Sequence, residues 1–421
     1  GLTLPEFMNT EVRELLELLT RLHDKSNIDK SILPPLTETI SRLGYLVEVG
    51  LPYLTLSRQM KTLSGGEAQR VNLTGLLGSK MTNISVILDE PTIGLHSTDT
   101  ARLISIMNKF RDNGNSVIVV EHDPEIIKAC DEIVEIGPEA GKLGGNIVFQ
   151  GSVAELLKTK THTATSLNSP MALKEKPKSR VSFFSYTSPE KNNISAIDVD
   201  FAINKVNVVC GVSGSGKSTL ISDCLYSSCL AYVADPQGRN KYGLKNFSEF
   251  SSVNMVDQSP IGRSSRAVIA TYIGVWDLVR QLLSESPAAV QKGLSSSYFS
   301  FNTEGGRCSG CKGSGISKIE MQFLPDISIT CEKCNGSRFQ DAIQEITLFG
   351  KSAIDILAMT LLEARAFFGS IENSSKKIVE KITPLIDIGL GYLTLGRTLS
   401  SLSGGEAQRL KLAFYLGQED Q

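Results

Sequence analysis

The octapeptide LSGGEAQR occurs twice in this chain, at Leu63–Arg70 and Leu402–Arg409, 339 residues apart. It lies inside a longer repeat. Moving Leu43–Gly78 by 339 onto Ile382–Gly417 gives 19 identities in 36 positions, including YLTL at Tyr53–Leu56 and at Tyr392–Leu395. A shift of 349 aligns the opening GLTLPEFMNTEVRELLELL with GKSAIDILAMTLLEARAFF at Gly350–Phe368. A repeat of that period is a whole domain rather than a solenoid module. The pattern predicts a chain that opens partway through one copy of a unit and stops partway through the next, as an excised fragment would.

Each octapeptide carries a local instruction. Ser64-x-x-Glu67 and Ser403-x-x-Glu406 fit a capping box that starts a helix. The glycines between, Gly65–Gly66 and Gly404–Gly405, leave the first turn without side chains. A phosphate could then reach the backbone N–H groups and the serine hydroxyl. A well-capped helix is the plainer alternative, but eight identical residues recurring in register exceed what capping requires.

A second glycine-rich motif follows an apolar run. Val206–Cys210 (VNVVC) reads as a buried strand. It feeds GVSGSGKST, which satisfies G-x-x-x-x-G-K-[ST] with Gly211, Gly216, Lys217 and Ser218 and also contains Ser213, Gly214 and Thr219. The helical stretch LISDCLYSSCLAYV comes next. Glycines let the loop curl so that its N–H groups converge on phosphate oxygens beside the positive end of a helix. Lys217 is then placed for the β- and γ-phosphates and Ser218 for Mg²⁺.

ISVILDEP at Ile84–Pro91 is an apolar strand ending in two carboxylates. Asp89 is placed to hold Mg²⁺, and Glu90 is the candidate to position an attacking water. SVIVVEHD at Ser116–Asp123 reads as a second strand, a buried one, ending in His122, a candidate γ-phosphate contact. An ordinary loop histidine is the alternative, and the neighbouring acidic strand favours the functional reading.

Four of the eight cysteines form two pairs, Cys308-x2-Cys311 and Cys331-x2-Cys334, separated by 19 residues. That spacing suits a tetrahedral Cys₄ zinc site with no position open to water, hence a structural metal. SKIEMQFLPDISIT between the pairs reads as two strand-like pieces around a Pro-Asp turn, predicting a hairpin with zinc at its base. Glycines after each pair can aim N–H groups at thiolate sulfur. Paired cysteines without secretory signals indicate a reducing compartment. No apolar run reaches the roughly 18 residues of a membrane span.

These parts resemble the ATP-binding-cassette ATPases, in which nucleotide lies between the phosphate loop of one half and the signature of the other. Here the order is signature, acidic strand, histidine, linker, phosphate loop, glutamine (Gln258), signature. The resemblance therefore implies the end of a first half joined to the start of a second. It pairs the loop Gly211–Thr219 with the signature Leu63–Glu67, and Asp89, Glu90 and His122 with the Ser403 signature. The first half's phosphate loop and the second half's acidic strand and histidine are not in this sequence, so little or no hydrolysis is expected of the chain alone.

The zinc insertion, VNMVDQSPIGR at Val253–Arg263, FSFNTEGGRC at Phe299–Cys308, KIEMQFLPD at Lys318–Asp326, LDEPTIGLH at Leu88–His96 and EIGPEAGKLGGNIVFQG at Glu135–Gly151 resemble the UvrA family, the damage-sensing ATPases of bacterial nucleotide excision repair. The stretch after Arg263 departs from the family pattern at Ala267–Val268–Ile269. The resemblance implies a cytoplasmic, dimeric ATPase using ATP, Mg²⁺ and Zn²⁺, with damaged double-stranded DNA and a helicase-like repair subunit as partners and no membrane. It also implies an α/β fold of cassette-type P-loop halves with helical signature subdomains and an inserted Cys₄ hairpin.

The expected domains are residues 1–80 (first signature subdomain), 81–157 (acidic strand and histidine), 158–180 (linker), 181–297 (phosphate-loop part), 298–345 (zinc hairpin) and 346–421 (second signature subdomain). A self-resistance paralogue, a transporter-type energy-coupling ATPase, and a fragment that only binds nucleotide and zinc remain open.

Charge gives DNA binding little support. The net charge is −2, so attraction to DNA needs a local basic surface. With four thiolates and a dication the zinc hairpin is close to neutral. Tyr298, Phe299, Phe301, Phe323 and Phe339 read as core residues rather than base-stacking platforms.

Overall fold

The computed structural model describes residues 2–24, 29–63, 65–77, 82–169, 181–212, 214–235, 241–257, 261–262, 264, 266–319, 327–371 and 375–417. The chain forms two compact units, one of residues 1–138 and 146–253, the other of residues 139–145 and 254–421. The expected linker is helical in part, with His162–Asn168 a short helix, and residues 170–180 lie outside the described residues.

In the first unit, helices Val12–His23 and Leu33–Glu48 pack together through one face of each. Val12, Leu15 and Leu19 recur at helical spacing and are buried, as are Leu36 and Leu43 opposite them. The signature helix Gly65–Leu77 adds Leu73 to the same core. Ser85–Asp89 and Ser116–Val120 form a parallel pair, with Asp89 opposite Val120. The second strand is not buried as its composition suggested, since Ile118 and Val120 are exposed where the pair has no further layer over that face among the described residues. The helix Ser97–Asp112 makes the crossover that parallel strands need. Asn115 secures the return: its amide donates to Phe110 O at 3.0 Å and its oxygen accepts from Ile84 N at 3.1 Å.

The same unit holds an antiparallel pair, Ile133–Gly137 with Asn146–Gly151. It also holds a three-stranded sheet in which Phe183–Thr187 lies between Asp198–Ala202 and Leu244–Lys245. Phe184, Phe201, Phe247, Phe250 and Tyr232 pack on one another there in stacked and edge-on contacts.

Val206–Cys210, read from sequence as a buried strand, is neither buried nor in a sheet. It joins no ladder among the described residues, and Val206 and Val208 are 85% and 80% exposed. β-branched residues fit a pleated, half-buried surface, but a strand exists only where a neighbour supplies the ladder. The helix expected beyond it is present, beginning as a wide π segment, Thr219–Tyr226, and continuing as the α-helix Ser227–Ala234.

The second unit is largely helical. Val275–Ser284, Leu361–Gly369, Lys376–Asp387 and Gly404–Leu416 surround a core that includes Trp276, Val279, Leu283, Phe368, Ile382 and Leu410. The hairpin expected between the cysteine pairs is the antiparallel pair Ile316–Ile319 with Ile327–Thr330. Its turn, residues 320–326 with Phe323, lies outside the described residues. Phe299, Phe301 and Phe339 are fully buried around Trp276, whereas Tyr298 is partly exposed.

The sequence repeat is also a structural one. Val12 N donates to Leu54 O at 2.9 Å, and Leu361 N donates to Leu393 O at 2.9 Å, the same bond under the shifts of 349 and 339. Bridges Glu11↔Thr55 and Thr360↔Thr394 repeat in the same way.

Trp276 is the sole tryptophan of the sequence and reports on the second unit. Phe368→Ala should lower that unit's stability by about 3–5 kcal/mol. The loss is read as an earlier urea midpoint of tryptophan fluorescence.

Candidate functional site

The second signature starts as its capping box dictates. The Ser403 hydroxyl accepts from Glu406 N at 3.3 Å, and Ser403 N donates to Glu406 Oε2 at 2.8 Å. A further donor, Tyr392 Oη, reaches Glu406 Oε1 at 2.6 Å. A Cβ built on Gly404 or Gly405 would meet nothing within 4 Å, so the helix start is open to an approaching group.

In the first signature Ser64 lies outside the described residues, but the rest repeats the arrangement. Tyr53 Oη donates to Glu67 Oε1 at 2.7 Å. Arg70 is buried, donating to Gly66 O at 3.3 Å and Val49 O at 3.4 Å. Gly66 has a steric reason to be glycine, because a Cβ there would lie 2.6 Å from Ile93 O.

The phosphate loop belongs to the same unit as the first signature. Gly214 and Gly216 have φ of +78° and +96°, which only glycine adopts freely. The loop is braced by a turn the sequence reading passed over. Asn193 donates to Gly214 O at 2.9 Å, and Asn192 reaches Thr219 Oγ1 at 3.4 Å. Lys217 Nζ donates to Gly211 O at 2.7 Å and to Val212 O at 2.8 Å. Ser218 continues into the helix that follows. Ser213 and Gln258 lie outside the described residues, as does Arg263.

A Cβ on Gly214 would lie 2.7 Å from Tyr53 Cζ. The phosphate loop therefore touches the tyrosine that holds the first signature's glutamate.

Asp89 and Glu90 end the first parallel strand, and Glu90 N donates to Val120 O at 2.9 Å. Glu90 sits at φ +44°, an unusual backbone for a residue with a Cβ. His122 leaves the same end of the neighbouring strand with its side chain 81% exposed.

Between them is a residue the sequence reading did not single out, Glu121, whose side chain is 2% exposed. Its carboxylate accepts from Thr92 N at 2.8 Å and from the Thr92 hydroxyl, and from His122 N at 2.8 Å and Asp123 N at 3.1 Å. One carboxylate thus ties the turn after Asp89–Glu90 to the turn that carries His122. Burial raises its pKa, but these hydrogen bonds outweigh burial and hold it below the ordinary 4.5. An acidic residue directly before the strand-end histidine is the only sequence signal for it.

The four paired cysteines converge. Their sulfurs all lie within 4.8 Å of one another, and three of the four residues are buried. Both knuckles turn alike: Lys312–Gly313 and Asn335–Gly336 all have positive φ. Gly315 N donates to Cys311 Sγ at 3.2 Å, the kind of sulfur contact expected of these turns. N–H groups of Cys334 and Lys333 hold the Cys331 thiol below its ordinary range. Arg338 stacks over Phe301 at 5.5 Å and feels the Cys311 and Cys334 thiolates. Four converging thiols with N–H support and a nearby cation fit a tetrahedral Zn²⁺.

No protein-family model matches this chain. UvrABC system protein A of Aquifex aeolicus is 42% identical over 431 residues, covering 100% of this chain and 46% of the relative. The Staphylococcus aureus (strain COL) protein of the same name is 43% identical over 422 residues, 98% of this chain and 44% of that one. Among solved structures, UvrA2 from Deinococcus radiodurans superposes with a TM-score of 0.91 at 34% identity, over 99% of this chain and 52% of that chain. The chain thus spans about half the length of the curated relatives it matches.

Two outcomes follow from this geometry. Protein prepared without chelator should contain one zinc per chain by elemental analysis, and Cys331→Ser should cut that content by more than half. Glu121→Gln should cost about 1–3 kcal/mol at neutral pH, the usual price of unsatisfied buried donors. Because the folded pKa lies below the unfolded one, the stabilisation is fully present above about 4.5 and is lost as pH falls through the folded value. The difference between wild type and variant should therefore shrink in acid, as followed by denaturant titration at several pH values.

Proposed function

The chain belongs to the UvrABC system protein A family, matching about half the length of its curated relatives, and from that premise we propose that it forms part of an ABC-type ATPase subunit that binds damaged duplex DNA in nucleotide excision repair. The observation that carries the nucleotide part is the contact of Gly214 with Tyr53, whose hydroxyl holds Glu67. It brings a second-half phosphate loop to a first-half signature, the pairing that a cassette sandwich requires.

In this reading the N–H groups of Gly211, Ser213, Gly214, Gly216 and Lys217 cradle the phosphates, with Ser218 and Thr219 at the helix start. Lys217 Nζ exchanges the carbonyls of Gly211 and Val212 for β- and γ-phosphate oxygens. Gly65 and Gly66 leave the helix start without side chains for the γ-phosphate end, and Gln258 is the residue that matches the family's glutamine loop.

Asp89, Glu90 and His122 are assigned to the other nucleotide site. There Asp89 holds Mg²⁺, Glu90 orients the attacking water, and His122 contacts the γ-phosphate. Glu121 fixes the spacing of the last two turns. Zn²⁺ on Cys308, Cys311, Cys331 and Cys334 supplies structural rigidity, since four thiolates leave no open coordination position. DNA binding, dimerisation, a helicase-like partner and a cytoplasmic setting rest on the family. No helix among the described residues is long and apolar enough to cross a membrane.

The reading is tested by measuring Mg-ATP binding, ATP turnover and duplex-DNA binding on one preparation, with and without a lesion, over a salt series. We expect ATP binding that Lys217→Ala weakens at least roughly tenfold, DNA binding that falls with salt, and little or no turnover by the chain alone. Robust steady-state hydrolysis abolished by Lys217→Ala, without any DNA binding, would instead favour a cassette ATPase outside repair.

A further inference from the structure

Tyr53 stands between two motifs of the nucleotide site without belonging to either. Its hydroxyl donates to Glu67 Oε1 at 2.7 Å. Its ring tip faces the phosphate loop: a Cβ on Gly214 would lie 2.7 Å from Cζ, 2.8 Å from Cε1 and 3.0 Å from Cε2. Gly214, at φ +78°, is held from the other side by Asn193, which donates to its carbonyl at 2.9 Å. Gly214 is therefore clamped between an amide and a phenol, and any residue with a Cβ would displace the ring.

We propose that Tyr53 is a positioning residue that sets the phosphate loop against the first signature, its ring fixing Gly214 and its hydroxyl fixing Glu67. This rests on the nucleotide reading of these two motifs.

Two further observations support the assignment. Burial, then the Glu67 hydrogen bond and charge, pushes the Tyr53 phenol far above its ordinary range, so it remains a donor at every physiological pH. The second copy separates the two contacts. Tyr392 makes the same bond to Glu406, but in its unit the adjoining glycine is Gly141, which approaches the tyrosine's Cβ rather than its ring tip. The hydroxyl–glutamate bond thus belongs to the signature module wherever it occurs. At Tyr53 the ring adds a contact with the phosphate loop, so this residue couples two motifs.

The test measures binding of Mg-ATPγS and Mg-ADP to the full chain by calorimetry for wild type, Tyr53→Phe, Tyr53→Ala and Lys217→Ala. Thermal melts of each accompany the binding data. Tyr53→Phe keeps the ring and removes the bond to Glu67. It should weaken ATPγS roughly five- to tenfold while leaving ADP within about twofold, because the signature meets the γ-phosphate end. Tyr53→Ala removes both contacts and should weaken both nucleotides by roughly tenfold or more. The melt of Tyr53→Phe should match wild type, which separates positioning from loss of fold. ATPγS and ADP affinities of Tyr53→Phe both within twofold of wild type, with Lys217→Ala defective, would overturn this role and leave the nucleotide reading intact. Lys217→Ala binding as well as wild type would overturn both.

Discussion

A helix whose first turn is made of glycine offers bare N–H groups to a ligand, and it must be prevented from fraying by something other than its own side chains. One carboxylate does this in each copy of the signature. In the second copy Glu406 accepts from Ser403 N with one oxygen and from the Tyr392 hydroxyl with the other. The helix start is thereby fixed from behind while Gly404 and Gly405 stay uncovered in front. Burial alone would raise the Glu406 pKa, but the tyrosine and serine donors more than compensate and keep it ionised. A neutral acid would have to give one of these oxygens a proton and lose an acceptor, so the open helix start depends on the carboxylate's charge.

The remainder of the repeated module serves that fixed point. Gly50 and Gly389, at φ +80° and +81°, each lie close to the guanidinium of the arginine that ends the octapeptide, Arg70 and Arg409. Those arginines donate to Val49 O and Ile388 O, at the ends of the helices preceding the signatures. The tyrosine, glutamate and arginine sit at equal spacing in both copies. Identity over the octapeptide thus reflects a hydrogen-bonded unit in which each member holds another, and in the first copy, where Glu67 and Arg70 are buried, one substitution would leave a buried polar partner unsatisfied.

Features whose cause is local were legible in the sequence. The capping box at Ser403 and Glu406, the Cys-x2-Cys knuckles and their hairpin, and the buried aromatics around Trp276 all follow from spacings of a few residues or from plain hydrophobicity. Features whose cause is a partner far along the chain were not. Val206–Cys210 has the composition of a core strand, but composition does not supply a neighbour. Glu121 reads as one more acid, since the Thr92 groups it binds lie 29 residues away. Tyr53 reads as part of YLTL, and its contact with Gly214 joins residues far apart in the chain. The missing information in each case was tertiary.

Charge within the zinc module bears on how such a neutral-looking element could meet a polyanion. Four thiolates with one dication leave a local excess of negative charge, which would repel phosphate. Arg338 is half-buried beside that cluster, stacked on Phe301, and partial burial lowers its pKa against the opposing pull of Cys311 and Cys334. Its guanidinium offsets part of the excess from inside, where low dielectric strengthens the interaction. Arg307 is engaged with Glu304 at 2.8 Å, and Lys333 with Ser309 at 2.6 Å. Lys333 is exposed, and its partner is a neutral hydroxyl. Lys312 and Lys333 are exposed, but so is Glu332, and the module's outward charge stays near neutral. Contact with nucleic acid would be short-ranged and few in phosphates, giving a shallow dependence on salt rather than the steep one of a basic groove.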